Sequence, residues 1–342
     1  MAETMRAVVF EEPGRMELRE VAVPKPGPGE VLIKVAACGV CGTDAHVFEG
    51  RFPAKFPLIP GHEFSGEVVE VGEGVSEFKP GDKVAVDPNI ACWRCDYCRV
   101  GKRHLCKNWT AIGLHRAGGY AEYCSIPVEQ AVPVPPEMPL EHAALAEPVA
   151  CCLHGVDLLD LKAGDTVAIM GMGTIGLIML QLVRHRGASK ILAFEPSEGK
   201  RKLALELGAD WAEDPLSVEP REAVRERFGD GADVVIECAG SQKSAEVVLD
   251  LVRPGGVVMF FGVLPPEFSI PLRPFWVYKN EVTIKGSFVN PFTESRAIAL
   301  LASGVVKAEP LISHRMPLSD LKEALRMLGA PEVRRMLIIP SM

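Results

Sequence analysis

A long uninterrupted apolar run is missing from this sequence of 342 residues. The most apolar stretch, residues 167–180, is broken by glycines and is shorter than the roughly 18 to 20 residues that a membrane span requires. A secretory leader is missing as well, because no basic start followed by an apolar segment stands at the N-terminus. We therefore expect no membrane partner and a cytoplasmic location.

Dense basic segments, internal repeats and low-complexity tracts are missing too. The 37 Lys and Arg residues are spread along the chain and are outnumbered by 45 Asp and Glu residues, so the net charge is −8. General binding to nucleic-acid phosphates requires the opposite balance. The apolar content of 48% is that of an ordinary globular protein. We expect a small-molecule ligand and no nucleic-acid partner.

Four of the ten cysteines are concentrated in one short segment: Cys92, Cys95, Cys98 and Cys106. Thiolates are the metal-binding form of cysteine, and two-residue spacers let several sulfurs converge on one ion. A pair of disulfides is the alternative, but a chain of this length does not need covalent links to hold its core. We predict a structural zinc in a lobe of about residues 90–108. Five further cysteines are interpreted as small buried apolar side chains: Cys38, Cys124, Cys151, Cys152 and Cys238.

The texture of the sequence changes near residue 150. Before this point, Pro-Gly turns separate short β-branched runs, which predict strands at residues 6–10, 30–35, 66–71 and 83–86. After it, helical patterns alternate with apolar runs at residues 166–170, 190–194, 233–237 and 256–261. That alternation is typical of a parallel, doubly wound α/β sheet. We predict domains at residues 1–150 and 151–288, followed by a segment 289–342 with helices at 295–302 and 318–328.

The motif G-x-G-x-x-G follows the first apolar run of the second domain, at Gly171, Gly173 and Gly176 with Thr174 and Ile175 between the last two. Such a turn lets backbone approach a pyrophosphate at a helix N-terminus. The next predicted strand ends in Glu195, whose carboxylate can accept hydrogen bonds from a ribose diol and would repel a 2′-phosphate. NAD is therefore favoured over NADP. The alternative for Glu195 is a solvated strand-end acid. Lys200 and Arg201 either contact the dinucleotide or form the exposed face of the next helix.

Potential ligands of a second metal ion are dispersed along the chain: Cys41, His62, Glu63 and Glu147. A catalytic zinc needs about three protein ligands and one open position. Taken singly, each residue also has an ordinary explanation, such as a buried thiol, a turn imidazole or an acid at the start of a helix.

Residues 61–75, GHEFSGEVVEVGEGV, resemble a motif of the zinc-dependent medium-chain alcohol dehydrogenases. The order of Cys41, His62-Glu63, the cysteine quartet, Glu147 and the glycine motif is similar to that family along essentially the whole chain. The resemblance implies a GroES-like β-rich catalytic domain, completed by the C-terminal segment, plus a Rossmann domain, with the active site in the cleft between them. It also implies a homotetramer or homodimer joined through the nucleotide domains.

The resemblance assigns Cys41, His62 and Glu147 as ligands of a catalytic zinc and the cysteine quartet as ligands of a structural one. Glu63 resembles an acid that exchanges onto the metal or lies beside it, and Thr43 with His46 resembles a proton relay. An alcohol oxygen on such a zinc loses its proton near neutral pH, and the resulting alkoxide transfers hydride to NAD. The expected cofactors are two Zn²⁺ per chain and NAD.

The expected reaction is the oxidation of a secondary alcohol or polyol. L-Threonine 3-dehydrogenase, which uses the same constellation, is the alternative. A zinc-free quinone reductase or a non-catalytic relative would lack the three ligands of the catalytic zinc. Sorbitol dehydrogenases generally carry an arginine where this chain has Val289, which favours a different polyol or a diol. We expect residues 43–52, 109–115 and 287–291 to line the substrate pocket, with hydrogen bonds from His115 and Asn290.

Overall fold

The computed structural model describes residues 3–342, and the chain divides into two compact units. One unit contains the residues up to Ala150 together with Val289–Met342, and the other is Cys151–Phe288. The C-terminal segment therefore belongs to the same unit as the first part of the chain.

The first unit is built on strands. They are β1 (Thr4–Glu12), β2 (Arg15–Ala22), β3 (Glu30–Gly39), β4 (Glu63–Val71), β5 (Lys83–Val86), β6 (Asn89–Ile90), β7 (Thr110–Ala111), β8 (Tyr123–Pro127) and β9 (Ala131–Pro133), with β16 (Ile312–Met316) and β17 (Arg335–Ile338) from the C-terminal segment. The main sheet has the order β16-β17-β3-β4-β5-β9, and β8 also pairs with β3. Alternate apolar residues of β3, such as Val31, Ile33 and Val35, lie in the core.

The helices of this unit are short. They are α1 (Gly42–Phe48), α2 (Asp96–Arg99), α3 (Leu140–Ala143), α10 (Glu294–Ala302) and α11 (Leu321–Met327); α4 (Ala146–Leu158) runs across the unit boundary. Single 3₁₀ turns occur at Arg103–Leu105, Val128–Gln130, Glu309–Leu311 and Leu318–Asp320. The predicted helix at 318–328 thus starts as a 3₁₀ turn and continues as α11.

The second unit is a six-stranded sheet with helices between its strands. The strands are β10 (Thr166–Met170), β11 (Lys190–Phe194), β12 (Trp211–Glu213), β13 (Ala232–Glu237), β14 (Val252–Phe260) and β15 (Thr283–Gly286). The helices are α5 (Thr174–His185), α6 (Glu198–Glu206), α7 (Pro220–Phe228), α8 (Gln242–Val247) and α9 (Pro274–Asn280), with a 3₁₀ turn at Val248–Asp250.

All pairings in this sheet are parallel, in the order β12-β11-β10-β13-β14-β15. The chain winds outward in one direction from β10 and in the other from β13, so the strand order reverses between these two strands. The carboxyl ends on either side of such a reversal form the ligand crevice of doubly wound folds. The predicted α/β sheet is confirmed.

The helices in the described part of the chain were also compared with the dimensions of a bilayer. Over residues 3–342, every helix is too short or too polar to cross a membrane.

Candidate metal centres and nucleotide site

The first candidate site lies where three strands of the main sheet meet. The register pairs Gly39 at the end of β3 with Glu63 at the start of β4 and with Leu337 of β17. Cys41 stands two residues after the end of β3, and His62 directly precedes β4. Backbone pairing of β3 with β4 therefore brings these distant segments together.

Three potential ligands converge here. The Cys41 sulfur, a His62 ring nitrogen and a Glu63 carboxylate oxygen all lie within 4.8 Å of one another. His62 and Glu63 are buried, and Cys41 is partly exposed. Sulfur, imidazole nitrogen and carboxylate oxygen are the ligand types of zinc, so the donor set fits the predicted metal.

Asp44 contacts both Cys41 and His62. Cys41 caps the N-terminus of α1, and its backbone N–H donates to Asp44 Oδ2 over 2.9 Å. The Tyr120 hydroxyl donates to the same oxygen over 2.6 Å. The other oxygen, Oδ1, lies 3.3 Å from His62 Nδ1, close enough for an ion pair but not aligned as a hydrogen bond. A carboxylate on Nδ1 leaves Nε2 of His62 for a metal, as in carboxylate–histidine–zinc sites.

The electrostatics of His62 follow from these neighbours. Burial disfavours the charged imidazole, but Asp44 and Cys41 outweigh burial and raise the pKa of His62 well above its ordinary value. Only the neutral ring can ligate a metal, so zinc would bind here by displacing that proton.

Glu63 is held on its other side by an arginine from the C-terminal segment. Arg335 Nη1 lies 2.7 Å from Glu63 Oε2 and donates to the Val40 carbonyl over 2.7 Å. A Cβ at Gly39 would lie only 2.3 Å from Glu63 Oε2, so a larger residue here would displace this carboxylate. Glu63 thus lies in the ligand cluster while it is paired with Arg335. This arrangement is compatible with the predicted role of an acid beside the metal.

The other predicted residues of this site are placed less directly. Glu147 is buried in the first turn of α4 but lies outside the 4.8 Å group. Thr43 lies beside the Cys41 sulfur, with its N–H at 3.5 Å and its Oγ1 at 3.6 Å. Over residues 3–342, no hydrogen bond joins Thr43 to His46. A relay between these two side chains would need a bridging hydroxyl.

The cysteine quartet forms a compact cage. The four sulfurs lie within 4.8 Å of one another, with Cys95 Sγ 3.5 Å from Cys98 Sγ and 4.0 Å from Cys106 Sγ. Zn–S bonds of about 2.3 Å place tetrahedral sulfurs about 3.8 Å apart, so the cage fits zinc. All ten cysteines are free thiols, which rules out the disulfide alternative. The Arg94 N–H donates to Cys92 and lowers the pKa of its thiol to about 6, which favours the thiolate.

The glycine motif forms the expected turn between β10 and α5. Gly173 caps α5, and a Cβ at Gly176 would lie 1.8 Å from the Gly171 carbonyl oxygen. Glu195 ends the neighbouring strand and is only 8% exposed. Its Oε2 accepts the Met172 N–H over 2.8 Å, and its Oε1 accepts the Ser197 N–H over 3.0 Å. Glu195 is therefore built into the glycine turn, and the solvated strand-end interpretation is wrong.

The two basic residues that follow Glu195 differ from each other. Lys200 is buried, so the prediction that it belongs to an exposed helix face is wrong. Arg201 Nη1 donates to the carbonyls of Glu195 over 2.8 Å and Pro196 over 2.6 Å. Arg201 thus fixes the backbone that carries Glu195.

One expected pocket residue has a different role. Asn290 is 1% exposed, and its amide is used by Asn89, Asp87 and Glu294. It is not available to a substrate, because its hydrogen-bonding capacity is consumed inside the protein. Leu114, within the segment 109–115 that was expected to line the pocket, is a core residue.

Comparison with known protein families matches both parts of the chain. Residues 27–136 match the alcohol dehydrogenase GroES-like domain, and residues 174–303 match the zinc-binding dehydrogenase family. The chain belongs to the zinc-dependent medium-chain alcohol dehydrogenases. This dehydrogenase is therefore an NAD(P)-dependent oxidoreductase with a GroES-like domain, as the resemblance implied.

Relatives cover the full length of this dehydrogenase. L-Threonine 3-dehydrogenase of Thermococcus kodakarensis is 36% identical over 99% of both chains. D-Arabinitol dehydrogenase 1 of Uromyces fabae is 32% identical over 98% of this chain and 97% of its own. A zinc-binding dehydrogenase of Sinorhizobium meliloti solved with bound NADP has 42% identity and a TM-score of 0.96, covering 99% of this chain and 100% of its own.

Sequence reasoning missed three residues of the first site in this dehydrogenase. Asp44 stands three positions after Cys41, the spacing of a capping box, so its contact with the Cys41 N–H was detectable. Tyr120 and Arg335 lie in distant segments and carry no local signal. Arg335 is brought to the site by the pairing of β17 with β3, and Tyr120 by the backbone hydrogen bond from its N–H to the Pro60 carbonyl.

Proposed function

We propose that this chain oxidises a secondary alcohol or polyol with NAD, converting the alcohol carbon to a carbonyl with release of one proton. The observation that carries the proposal is the convergence of Cys41, His62 and Glu63 within 4.8 Å of one another, with Asp44 beside His62. Zinc at this site would supply Lewis-acid chemistry towards the substrate oxygen, and NAD would supply the hydride acceptor. A zinc-free quinone reductase would have no use for such a donor set.

The residues of the first unit have separate proposed roles. Cys41, His62 and Glu147 would hold the metal, and Asp44 would orient His62. Glu63 would exchange between the metal and Arg335, whose guanidinium lies 2.7 Å from its carboxylate. Burial and the nearby Arg51 lower the pKa of His46, so its imidazole is neutral at pH 7 and can accept the proton that leaves past Thr43.

L-Threonine 3-dehydrogenase is the second candidate, favoured by relatives of that name at 36–37% identity. A desolvated amino acid needs charged partners for its ammonium and carboxylate groups. The test is a panel of secondary alcohols, diols, polyols and L-threonine, assayed with NAD and NADP alongside zinc content per chain. Turnover of neutral alcohols with two zinc ions per chain supports the first proposal. Turnover of L-threonine alone supports the second.

We propose NAD as the preferred cofactor because the Glu195 carboxylate is held beside the glycine turn by the Met172 N–H, where it would repel a 2′-phosphate. Glu195→Ala should raise the Michaelis constant for NAD by about 10- to 100-fold, the effect of losing hydrogen bonds to a charged group. It should also relax discrimination against NADP. Steady-state kinetics with both cofactors measure the change.

Glu195→Gln and Glu213→Ala complete this test. Glu195→Gln keeps an acceptor for the turn but removes the charge, so it isolates the repulsion of a 2′-phosphate. Glu213 ends the adjacent strand β12 and pairs with Arg227, which makes Glu213→Ala the matched strand-end control. An unchanged NAD to NADP ratio in both Glu195 variants would refute the role of this residue.

We further propose a homodimer or homotetramer in the cytoplasm. β15 ends the parallel sheet, and the neighbouring α9 exposes Phe275 and Tyr278, at 71% and 80%. A strand edge beside exposed aromatic side chains favours pairing with a second copy. Ten free thiols suit a reducing compartment. Analytical ultracentrifugation tests the oligomeric state.

A further inference from the structure

A buried arginine connects the cysteine lobe to the rest of its unit. Arg103 lies between Cys98 and Cys106 in a 3₁₀ turn and is almost fully buried. Its Nη2 forms an ion pair with Asp87 Oδ2. Breaking a buried pair of this kind is costly, because one charge is left without its partner.

Asp87 and Asn89 form hydrogen bonds with the C-terminal segment. Asp87 Oδ1 accepts the backbone N–H of Asn89 over 3.0 Å and lies 3.4 Å from Asn290 Nδ2. Asn89 Nδ2 donates to Asn290 Oδ1, and Asn290 Nδ2 donates to Glu294 Oε2 over 2.8 Å. All these side chains are buried, so the bonds form a chain protected from water.

Aromatic contacts reinforce the same connection. The ring centroid of Phe292 lies 6.1 Å from that of Trp93, which stands between Cys92 and Cys95. The Arg103 guanidinium is 4.8 Å from the Phe292 ring, within cation–π range. Trp109, which packs against the cysteine cluster, donates its indole N–H to Asn89 Oδ1 over 3.0 Å. These contacts join the lobe to Asn89 and to residues 290–294.

The last residues of this hydrogen-bonded series contact α4, the helix that carries Glu147. Thr293 donates its hydroxyl to the Ala150 carbonyl over 2.8 Å, one turn along α4 from Glu147. Burial raises the pKa of Glu294, and the charges of Asp87 and Glu147 raise it further, so Glu294 lies within electrostatic reach of both.

We propose that Arg103, Asp87 and Asn290 are positioning residues that couple the cysteine lobe to Glu147. Zinc in the lobe orders Arg103, and the buried chain then sets the start of α4 from which Glu147 reaches the catalytic metal. The inference rests on the proposed function, because that proposal makes Glu147 a ligand. Its consequence is that the lobe controls how firmly the second zinc is retained.

The test measures the rate at which zinc passes from the purified protein to dipicolinate. Asn290→Ala removes the central link without touching the lobe, and Arg103→Met removes the cation at its origin. Each should accelerate loss of the catalytic zinc by about tenfold, the lower range for residues that act behind a metal ligand. The double variant should be no faster than the faster single variant, since the two residues belong to one chain.

Two further variants assign the phases of zinc loss. Cys41→Ser should retain only lobe zinc and therefore identifies that phase. Lys107→Ala breaks an exposed lobe ion pair with Asp96 at 2.8 Å and should lose both ions at wild-type rates. Wild-type rates in Asn290→Ala, or faster loss of lobe zinc alone, would overturn the coupling. Equal zinc content in wild type and Cys41→Ser would instead overturn the proposed catalytic site, and the coupling with it.

Discussion

Cys41→Ser should lower kcat by at least about 10³-fold, because metal polarisation of a substrate oxygen contributes several kcal/mol to catalysis. A neutral hydroxyl does not replace the thiolate as a zinc ligand. The zinc content should fall from two ions per chain to one. NAD binding should persist, because the glycine turn and Glu195 belong to the other unit.

Cys38→Ala is the matched control for this substitution. Cys38 lies three residues earlier, near the end of β3, and its buried thiol contacts the Gly39 carbonyl at 3.7 Å and the backbone of Glu63. This variant should retain both zinc ions and most of its activity. Near-normal kcat in Cys41→Ser would remove the catalytic-metal assignment. Equal damage in both variants would show that the loss is structural.

Cys95→Ser should reduce thermal stability more than any substitution at the catalytic cluster. Structural zinc sites contribute binding free energy directly to folding. A loss of about 4 kcal/mol corresponds to a fall in Tm of roughly 8–16 °C for a unit of this size. Chelator should lower the Tm of the wild type in the same way. Differential scanning calorimetry with zinc analysis measures both effects.

The exposed lobe variant Lys107→Ala serves as the control here as well, because it leaves all four sulfurs in place. Activity in Cys95→Ser should decline with stability and with retention of the second zinc. A stable, fully folded but inactive Cys95→Ser protein would instead place the lobe in the chemistry itself.

The strands that could be predicted from the sequence are those whose signal is local. β5, β10 and β11 have the predicted bounds, because each is an apolar run between turn residues. β14 begins four residues before its predicted start, since Pro254 and Gly255 within it indicate a turn. β2 was not predicted, because most of its side chains are exposed and half of its residues are charged.

The candidate sites divide in the same way. The cysteine quartet and the glycine motif are contiguous, so spacing alone indicated their chemistry. The buried series of hydrogen bonds from Arg103 to Glu294 joins five residues over a span of more than 200 positions. The partners of these polar side chains lie in distant segments, so the local sequence does not predict them. Asn290 was therefore assigned to the substrate pocket, although burial commits its amide to neighbouring side chains.

The ion pair between Arg335 and Glu63 has a consequence for biosynthesis. Arg335 is contributed by β17, almost 300 positions after Cys41. Such long-range pairings form late, because the chain entropy of closing the loop must first be overcome. While the ribosome is still translating the nucleotide unit, Cys41, His62 and Glu63 have emerged but lack the cation that orders Glu63. We therefore expect Glu63 to be ordered only after synthesis has passed residue 335, whereas all four cysteines of the quartet are present more than 200 residues earlier.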